Sequence, residues 1–451
     1  MKLKLFHDAK APLANGHKRD SLLMMSDEEF ESNHGFIQWA FPTAEKSNHN
    51  FNAPVLDLDS AIWLAERTDV SEFLENMSVR FLEFLKQNDH WKSRYDHNHL
   101  RISRAIDSLR LLHSWELADW FYAQVKAFAG SSYELMSDAR THWDRKASAE
   151  HDRIAGAFVG LSMGDALGAP VEFCRRGGFP EVTGYRAGGK FDLPAGAWTD
   201  DTAMALCLAQ SLIAMDGFDA EDLLQRFSGW LEHGENTSTG VSVGVGQNTL
   251  RTLGGFRRNG TLIAERFGSK NEGNGSLMRL APVACYYHKD LHKVREMASA
   301  QSRTTHASDI ADECCQYLAG LMARVIGGQS YQNARSELQA AEWGYPLMAV
   351  IENNHKAAAK SEIKSSGYVV DTLNAAIWAV ENSQSFEGAV LKAVNLGDDA
   401  DTVGAVTGQI AGAIYGYSSV PKHLKAGLID ERKLYVTSQF LISELKEFGF
   451  K

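Results

Sequence analysis

The chain is predicted to be all-α and to fold as two domains, and three observations carry that prediction. Apolar residues recur three and four apart along most of its length, the period of a helix with one buried face. Val- and Ile-rich alternating segments joined by hairpin turns, the mark of strands, are scarce. At 451 residues the chain also exceeds what a single hydrophobic core usually organises.

The composition is that of a globular protein, with 44% hydrophobic and 23% charged residues. A net charge of −11 argues against a broad nucleic-acid surface, which draws on clustered Lys and Arg, so nucleic acid is not an expected partner. Cys174, Cys207, Cys285, Cys314 and Cys315 show no CxxC zinc spacing, and an odd count does not predict a disulfide framework; a reducing cytoplasm is the expected location. The N-terminus lacks a secretory apolar core, and no run of about 18 apolar residues is read as a membrane span.

Residues 1–20 are mixed and polar and are expected to form a flexible arm. Residues 21–145 are predicted to be a helical module, with helical periods over 56–67, 70–87 and 102–125. Its Trp39, Trp63, Trp91, Trp115 and Trp120 are expected mostly in the core. The block Gly35-Phe36-Ile37-Gln38-Trp39-Ala40-Phe41-Pro42 and the later 101–110, which begins Arg101-Ile102-Ser103-Arg104, resemble the N-terminal domain of the opioid growth factor receptor family. That resemblance implies a helical module without an assigned catalytic role, and no compact set of nucleophile, base and orienting group is visible in it.

The domain boundary is placed within 130–152, and residues 150–451 are expected to form the second domain. Gly156, Gly160, Gly164 and Gly168 recur every fourth residue along an apolar helical segment, and Gly404, Gly408, Gly412 and Gly416 repeat the device. Each interior glycine costs about 1 kcal/mol of helix propensity relative to alanine, so four on one face call for a packing reason. Two buried helices are expected, packed against each other or against a common neighbour. Further helices are predicted over 202–215, 219–233, 274–287, 308–326 and 369–382. Glycine-rich links at 175–196, 234–246 and 254–275 are expected as loops at one end of the bundle.

Two acidic clusters lead into helical segments: Thr199-Asp200-Asp201-Thr202, and Asp398-Asp399-Ala400-Asp401-Thr402. Hard cations such as Mg²⁺ and Mn²⁺ favour carboxylate, hydroxyl and water oxygens, and two such clusters together can hold a pair of ions. The alternative for either cluster alone is helix N-capping, for which Thr and Asp are suited.

The run 156–173, from Gly156-Ala157-Phe158 to Val171-Glu172-Phe173, resembles the opening helix of the ADP-ribosylglycohydrolase family. So do Thr199 to Thr202, Gly273-Asn274-Gly275-Ser276-Leu277-Met278-Arg279, Thr305-His306 and Asp399 to Thr402, in the family's order. The resemblance implies an orthogonal helical bundle with two Mg²⁺ or Mn²⁺ ions on Thr199, Asp200, Asp201, Asp399, Asp401 and Thr402. It also implies hydrolysis at the C1″ of ADP-ribose joined to an acceptor, often arginine, on a modified protein or a small ADP-ribosyl compound. Asp200 and Asp201 then serve as ligands and proton handlers. Glu172 is either catalytic or a structural acid that caps a helix or pairs with Arg175 or Arg176. Asn274, Gly275 and Ser276, with Gly273, form either a diphosphate-binding helix start or a turn with an N-cap, and His306 either contacts substrate or is structural. The loop 240–246 lacks the strand and acid of a dinucleotide fold and is read as a flexible or substrate-side loop.

Two functions follow. One is an enzyme that reverses ADP-ribosylation. The other is a binding protein that neutralises an ADP-ribosyltransferase toxin, or another protein partner, by occlusion through its N-terminal domain, as an immunity factor.

Overall fold

A computed structural model describes residues 2–442 apart from 14–15, 48–49, 51, 147–148 and 267–271. The chain divides into two compact units, one reaching to His151 and the other spanning Asp152–Ile442. The expected second-domain residues 443–451 lie outside the described residues. Among the described residues there is no strand, only two isolated bridges, Gly188 to Leu193 and Gly273 to Tyr368.

The first unit contains α1 (Lys2–His7), α2 (Asp27–Ser32), α3 (Ile37–Ala40), α4 (Leu58–Ala65), α5 (Thr68–Gln87), α6 (His97–Leu112), α7 (Trp115–Ala129) and α8 (Ser137–Lys146). The expected arm is instead helical at α1, because Leu3, Phe6 and His7 are buried and anchor it. The single helix expected over 102–125 is two helices, since Ser114 leaves the helical conformation and its side chain caps α7 by accepting the Leu117 N–H. The core belongs to phenylalanines more than to tryptophans. Phe30, Phe36, Phe41, Phe81, Phe84 and Phe121 are fully buried; of the five tryptophans expected mostly in the core Trp91 is fully buried, Trp39, Trp63 and Trp115 are half-buried and Trp120 is exposed. Phenylalanine carries no N–H that burial would strand, which suits it to a dry centre. Arg101, buried, donates to the carbonyls of Phe30 and Glu31 at 2.9 and 3.1 Å, and Arg104 donates to Thr43 Oγ1 at 2.8 Å. Arg101 also lies 5.7 Å from the Phe36 ring centre, so the two sequence blocks meet in the fold.

The second unit is built from α9 (Ala149–Gly168), α10 (Asp200–Met215), α11 (Ala220–His233), α12 (Gln247–Asn259), α13 (Ala281–Tyr287), α14 (Leu291–Thr305), α15 (Asp309–Ile326), α16 (Tyr331–Gln339), α17 (Tyr345–Glu352), α18 (Val369–Glu381), α19 (Phe386–Val394), α20 (Ala400–Tyr415), α21 (Lys422–Gly427) and α22 (Glu431–Phe440). The loop expected over 254–275 begins later, because α12 runs through Gly254 and Gly255. The helix expected from 274 starts at Ala281. Residues 274–279 form turns, and Pro282 sits in the first helical turn, where its missing N–H costs nothing.

The glycine stripes face each other. A Cβ on Gly156, Gly160, Gly164 or Gly168 would overlap the backbone of Gly412, Gly408, Gly404 or Ala400, so α9 and α20 lie antiparallel with their backbones in contact. The segment Ala149–Val171 does have the length and composition of a membrane span, contrary to the reading of the sequence, but it is almost wholly buried inside the protein and serves as a core helix. This pairing brings the C-terminal end of α9 beside the N-terminal end of α20, where the second acidic cluster begins.

Candidate active site

The two acidic clusters converge at the ends of α9, α10 and α20. Thr199 is the N-cap of α10 and Asp399 that of α20, yet neither side chain makes a capping bond. The N-capping alternative therefore fails at both N-cap positions. At α10 the task falls to Asp165 on α9, a residue that the sequence reading did not single out. Asp165 Oδ1 accepts the N–H and hydroxyl of Thr199 at 2.9 and 2.8 Å; its Oδ2 accepts those of Thr202 at 3.0 and 2.7 Å. With its helix capped from outside, the α10 cluster keeps the Asp200 and Asp201 carboxylates for other work. The available signal was an aspartate inside an otherwise apolar, glycine-striped helix.

Glu172 follows α9 and is held by an unusual backbone junction. Phe173 N–H donates to Asp398 O at 2.6 Å, and Asp398 N–H donates to Cys174 O at 2.7 Å. Phe173 and Asp398 both take left-handed backbone, with φ of 62° and 57°. Such backbone costs of order 1–3 kcal/mol in residues other than glycine and clusters at functional sites. Glu172 is buried and does not take the partnership considered for Arg176, whose guanidinium is committed to the carbonyls of Leu396, Lys360 and Ile363. Glu172, Asp399 and Asp401 each offer a carboxylate oxygen within 4.8 Å of the others.

Burial dominates the electrostatics. It pushes Glu172 and Asp200 up to about 8 and Asp165 to about 6, with neighbouring carboxylates adding to the rise at Glu172 and Asp200 and the threonine bonds opposing it at Asp165. Asp201, Asp399 and Asp401 are raised for the same first reason. Glu172 Oε2, Asp201 Oδ1 and Asp401 Oδ1 are buried without a hydrogen-bond partner. An orphaned buried carboxylate oxygen is costly, and a hard divalent cation supplies both the missing partner and the missing charge. The residues fit such an ion: the donor set is entirely oxygen. Thr199 spends its proton on Asp165, which leaves its lone pairs available.

These groups form the floor of a cavity of about 580 Å³. Glu172, Asp200, Asp399, Asp401 and Thr402 line it, whereas Thr199 and Asp201 lie behind the lining. Lys190, Phe173 and Phe191 form part of the wall, with Lys190 Nζ 4.0 Å from the Phe173 ring centre. Elsewhere the wall is backbone-rich, made by Gly244–Gly246 and Gly273–Gly275, so the loop 240–246 does reach the site. Gly244, at φ 84°, abuts the Asp200 carboxylate where a Cβ would collide with it.

The expected substrate-binding set is divided. Gly275 and His306 line the cavity, and a Cβ on Gly275 would stand 3.0 Å from the His306 ring. Burial and the Arg279 charge push His306 down to about 3, so it is a neutral ring near neutral pH, with Nδ1 2.8 Å from Thr305 Oγ1. Asn274 lines the cavity but spends its amide on Asp399 Oδ2 at 2.6 Å and Thr372 Oγ1 at 2.8 Å. It positions a carboxylate rather than offering that amide to a substrate. Ser276 is not in the wall: it is fully buried, with its hydroxyl 2.8 Å from Ser302 Oγ, because the 273–279 turn points it into the core.

Fold and site together are an all-α bundle with a carboxylate-lined, cation-fitting pocket at its helix ends. The chain belongs to the ADP-ribosylglycohydrolase family, which it matches over residues 146–447. It is 38% identical over 283 residues to the ADP-ribosylarginine hydrolase of Serratia proteamaculans, a match covering 63% of this chain and 77% of that protein. It is 33% identical over 275 residues to the ADP-ribosyl-[dinitrogen reductase] glycohydrolase of Rhodospirillum rubrum, covering 60% of this chain and 88% of that protein. Among solved structures, an ADP-ribosylglycohydrolase-related protein complex aligns with a TM-score of 0.58 at 37% identity, over 65% of this chain and 98% of that one.

Proposed function

We propose that the protein removes ADP-ribose from ADP-ribosylated arginine on a protein substrate, using two Mg²⁺ or Mn²⁺ ions held by Thr199, Asp200, Asp201, Asp399, Asp401 and Thr402, with Glu172 beside them. The observation that carries this reading is the convergence of Glu172, Asp200, Asp399 and Asp401 on the floor of one cavity. The arginine acceptor is supported by the named substrate of the Serratia relative.

Ions bound there would lower the pKa of water and fix the ribose hydroxyls. The chain's own groups do the rest. In the reaction the bond from C1″ to the guanidino nitrogen breaks, its electron pair goes to nitrogen, and that nitrogen takes up a proton. Water oxygen forms the new bond to C1″ and gives up a proton. Glu172, buried and with its Oε2 free of any competing hydrogen bond, is the carboxyl placed to exchange protons with the water and the leaving nitrogen. The glycine-rich wall lets backbone approach a bulky diphosphate, and His306 stays uncharged beside it.

The direct test is incubation of an ADP-ribosyl-arginine peptide with the protein and Mg²⁺ or Mn²⁺. Release of free ADP-ribose by the intact protein, abolished in Asp200→Ala and in Asp401→Ala, is expected. No release from this linkage by the intact protein overturns the reading.

A further inference from the structure

Arg279 is a fully buried cation that stands behind the cavity rather than in its wall. It closes the 273–279 turn, and its guanidinium lies 4.8 Å from the Phe227 ring centre. Its Nε donates to Gln301 Oε1 at 3.0 Å, and its Nη2 donates to Gln301 O at 3.1 Å and to Thr305 Oγ1 at 2.8 Å. The Gln301 amide is itself held, because its nitrogen donates to Ser276 O at 2.9 Å. The turn is thus tied to the end of α14, where Thr305 is the last helical residue and His306 the C-cap. We propose that Thr305, its hydroxyl directed by Arg279, is a positioning residue that fixes His306 in one tautomer, with the proton on Nε2, so that the ring presents an N–H donor to an acceptor oxygen of the substrate.

The direction of each bond follows from what each atom carries. A guanidinium only donates, so Thr305 Oγ1 accepts from Arg279. The Thr305 hydroxyl has one proton of its own, and among the described residues His306 Nδ1, 2.8 Å away, is the acceptor within its reach. A protonated Nδ1 would aim a second donor at that oxygen and strand the hydroxyl proton in a buried place, which is costly. Nδ1 is therefore the acceptor. In a neutral imidazole the other nitrogen is then the donor. Burial and the Arg279 charge act in the same sense, since both keep the ring neutral.

The second nitrogen is on the cavity side. His306 lines the cavity together with Gly273 and Gly275, and among the described residues its Nε2 bonds no protein group. Cβ atoms on Gly275 and Gly273 would stand 3.3 and 3.6 Å from Nε2. Side chains there would crowd that nitrogen, so the two glycines keep it open to a ligand. A donor held in this way suits oxygens with lone pairs, such as those of a diphosphate or a ribose. The identity of that ligand rests on the ADP-ribosyl reading of the cavity, whereas the tautomer does not.

The test reads the ring directly, in the full chain with isotope-labelled histidine nitrogens and no substrate. Proton–nitrogen correlation spectra are expected to show His306 with a bare Nδ1 and a protonated Nε2, its signals identified by their loss in His306→Gln. Thr305→Val removes the hydroxyl at nearly constant volume. It should release the ring into a mixture of tautomers and lower kcat/KM for an ADP-ribosyl-arginine peptide by roughly tenfold. Thr305→Ser keeps the hydroxyl and should restore both spectrum and rate. ADP-ribose bound to the unaltered protein should shift the Nε2 signal. A protonated Nδ1 in the unaltered protein, an Nε2 signal unmoved by bound ADP-ribose, or a Thr305→Val ring with the unaltered tautomer overturns the proposal. No release of ADP-ribose from arginine, with the tautomer as stated, overturns the proposed reaction instead.

Discussion

Asp165 Oδ2 accepts both the backbone N–H and the hydroxyl of Thr202, at 3.0 and 2.7 Å, across the junction of α9 and α10. This bond pair stands behind the cation-fitting cluster and orients the helix that carries half of it. Asp165→Ala should raise the Mg²⁺ or Mn²⁺ concentration for half-maximal activity by about 10–100-fold, the usual effect of losing a group that orients ligands. A cation titration of the hydrolase rate measures it, and an unchanged half-saturation point would deny Asp165 this role.

Asn274 offers a sharper division between binding substrate and positioning a carboxylate. Its amide lies 2.6 Å from Asp399 Oδ2. Asn274→Ala should raise the cation concentration for half-maximal activity and lower kcat by about tenfold or more, with KM for the ADP-ribosyl substrate nearly unchanged. A rise in KM at constant kcat would return Asn274 to the substrate side.

Without a cation, the site should make the protein sensitive to alkaline pH. Asp200 and Glu172 have folded pKa values pushed to about 8, from ordinary values of 3.8 and 4.5. A raised folded pKa means that the folded state holds protons which the unfolded state has lost. The associated stability is full below about pH 4 and is lost as pH rises through about 8. Chelator-treated protein should therefore melt at lower temperature at pH 8 than at pH 6, and Mg²⁺ should raise the melting temperature more at pH 8. Equal Mg²⁺ effects at the two pH values would contradict this linkage.

The backbone contact between α9 and α20 leaves no room for a methyl group. Gly164→Ala should cost about 3 kcal/mol or prevent folding, because its Cβ would meet the Gly404 carbonyl. Gly184→Ala is the control: nothing lies within 4 Å of its Cβ position, so its melting temperature should be close to that of the unaltered protein.

Helical periods, the two glycine stripes and the two acidic clusters were legible in the linear chain because each is a local pattern with a local cost. An interior glycine weakens its helix wherever the chain goes, and neighbouring carboxylates repel in any fold. Sequence alone therefore determined the all-α class, the need for close helix packing and the oxygen-rich character of the site. It also offered N-capping as an alternative for Thr199 and Asp399. Only the tertiary structure decided between them, since the bonds that cap α10 come from Asp165 on another helix. The same holds for Asn274, Ser276 and Glu172. Their roles depend on which way a turn points a side chain, and on Asp398 meeting Phe173 across the fold, relationships set by packing between segments distant in the chain.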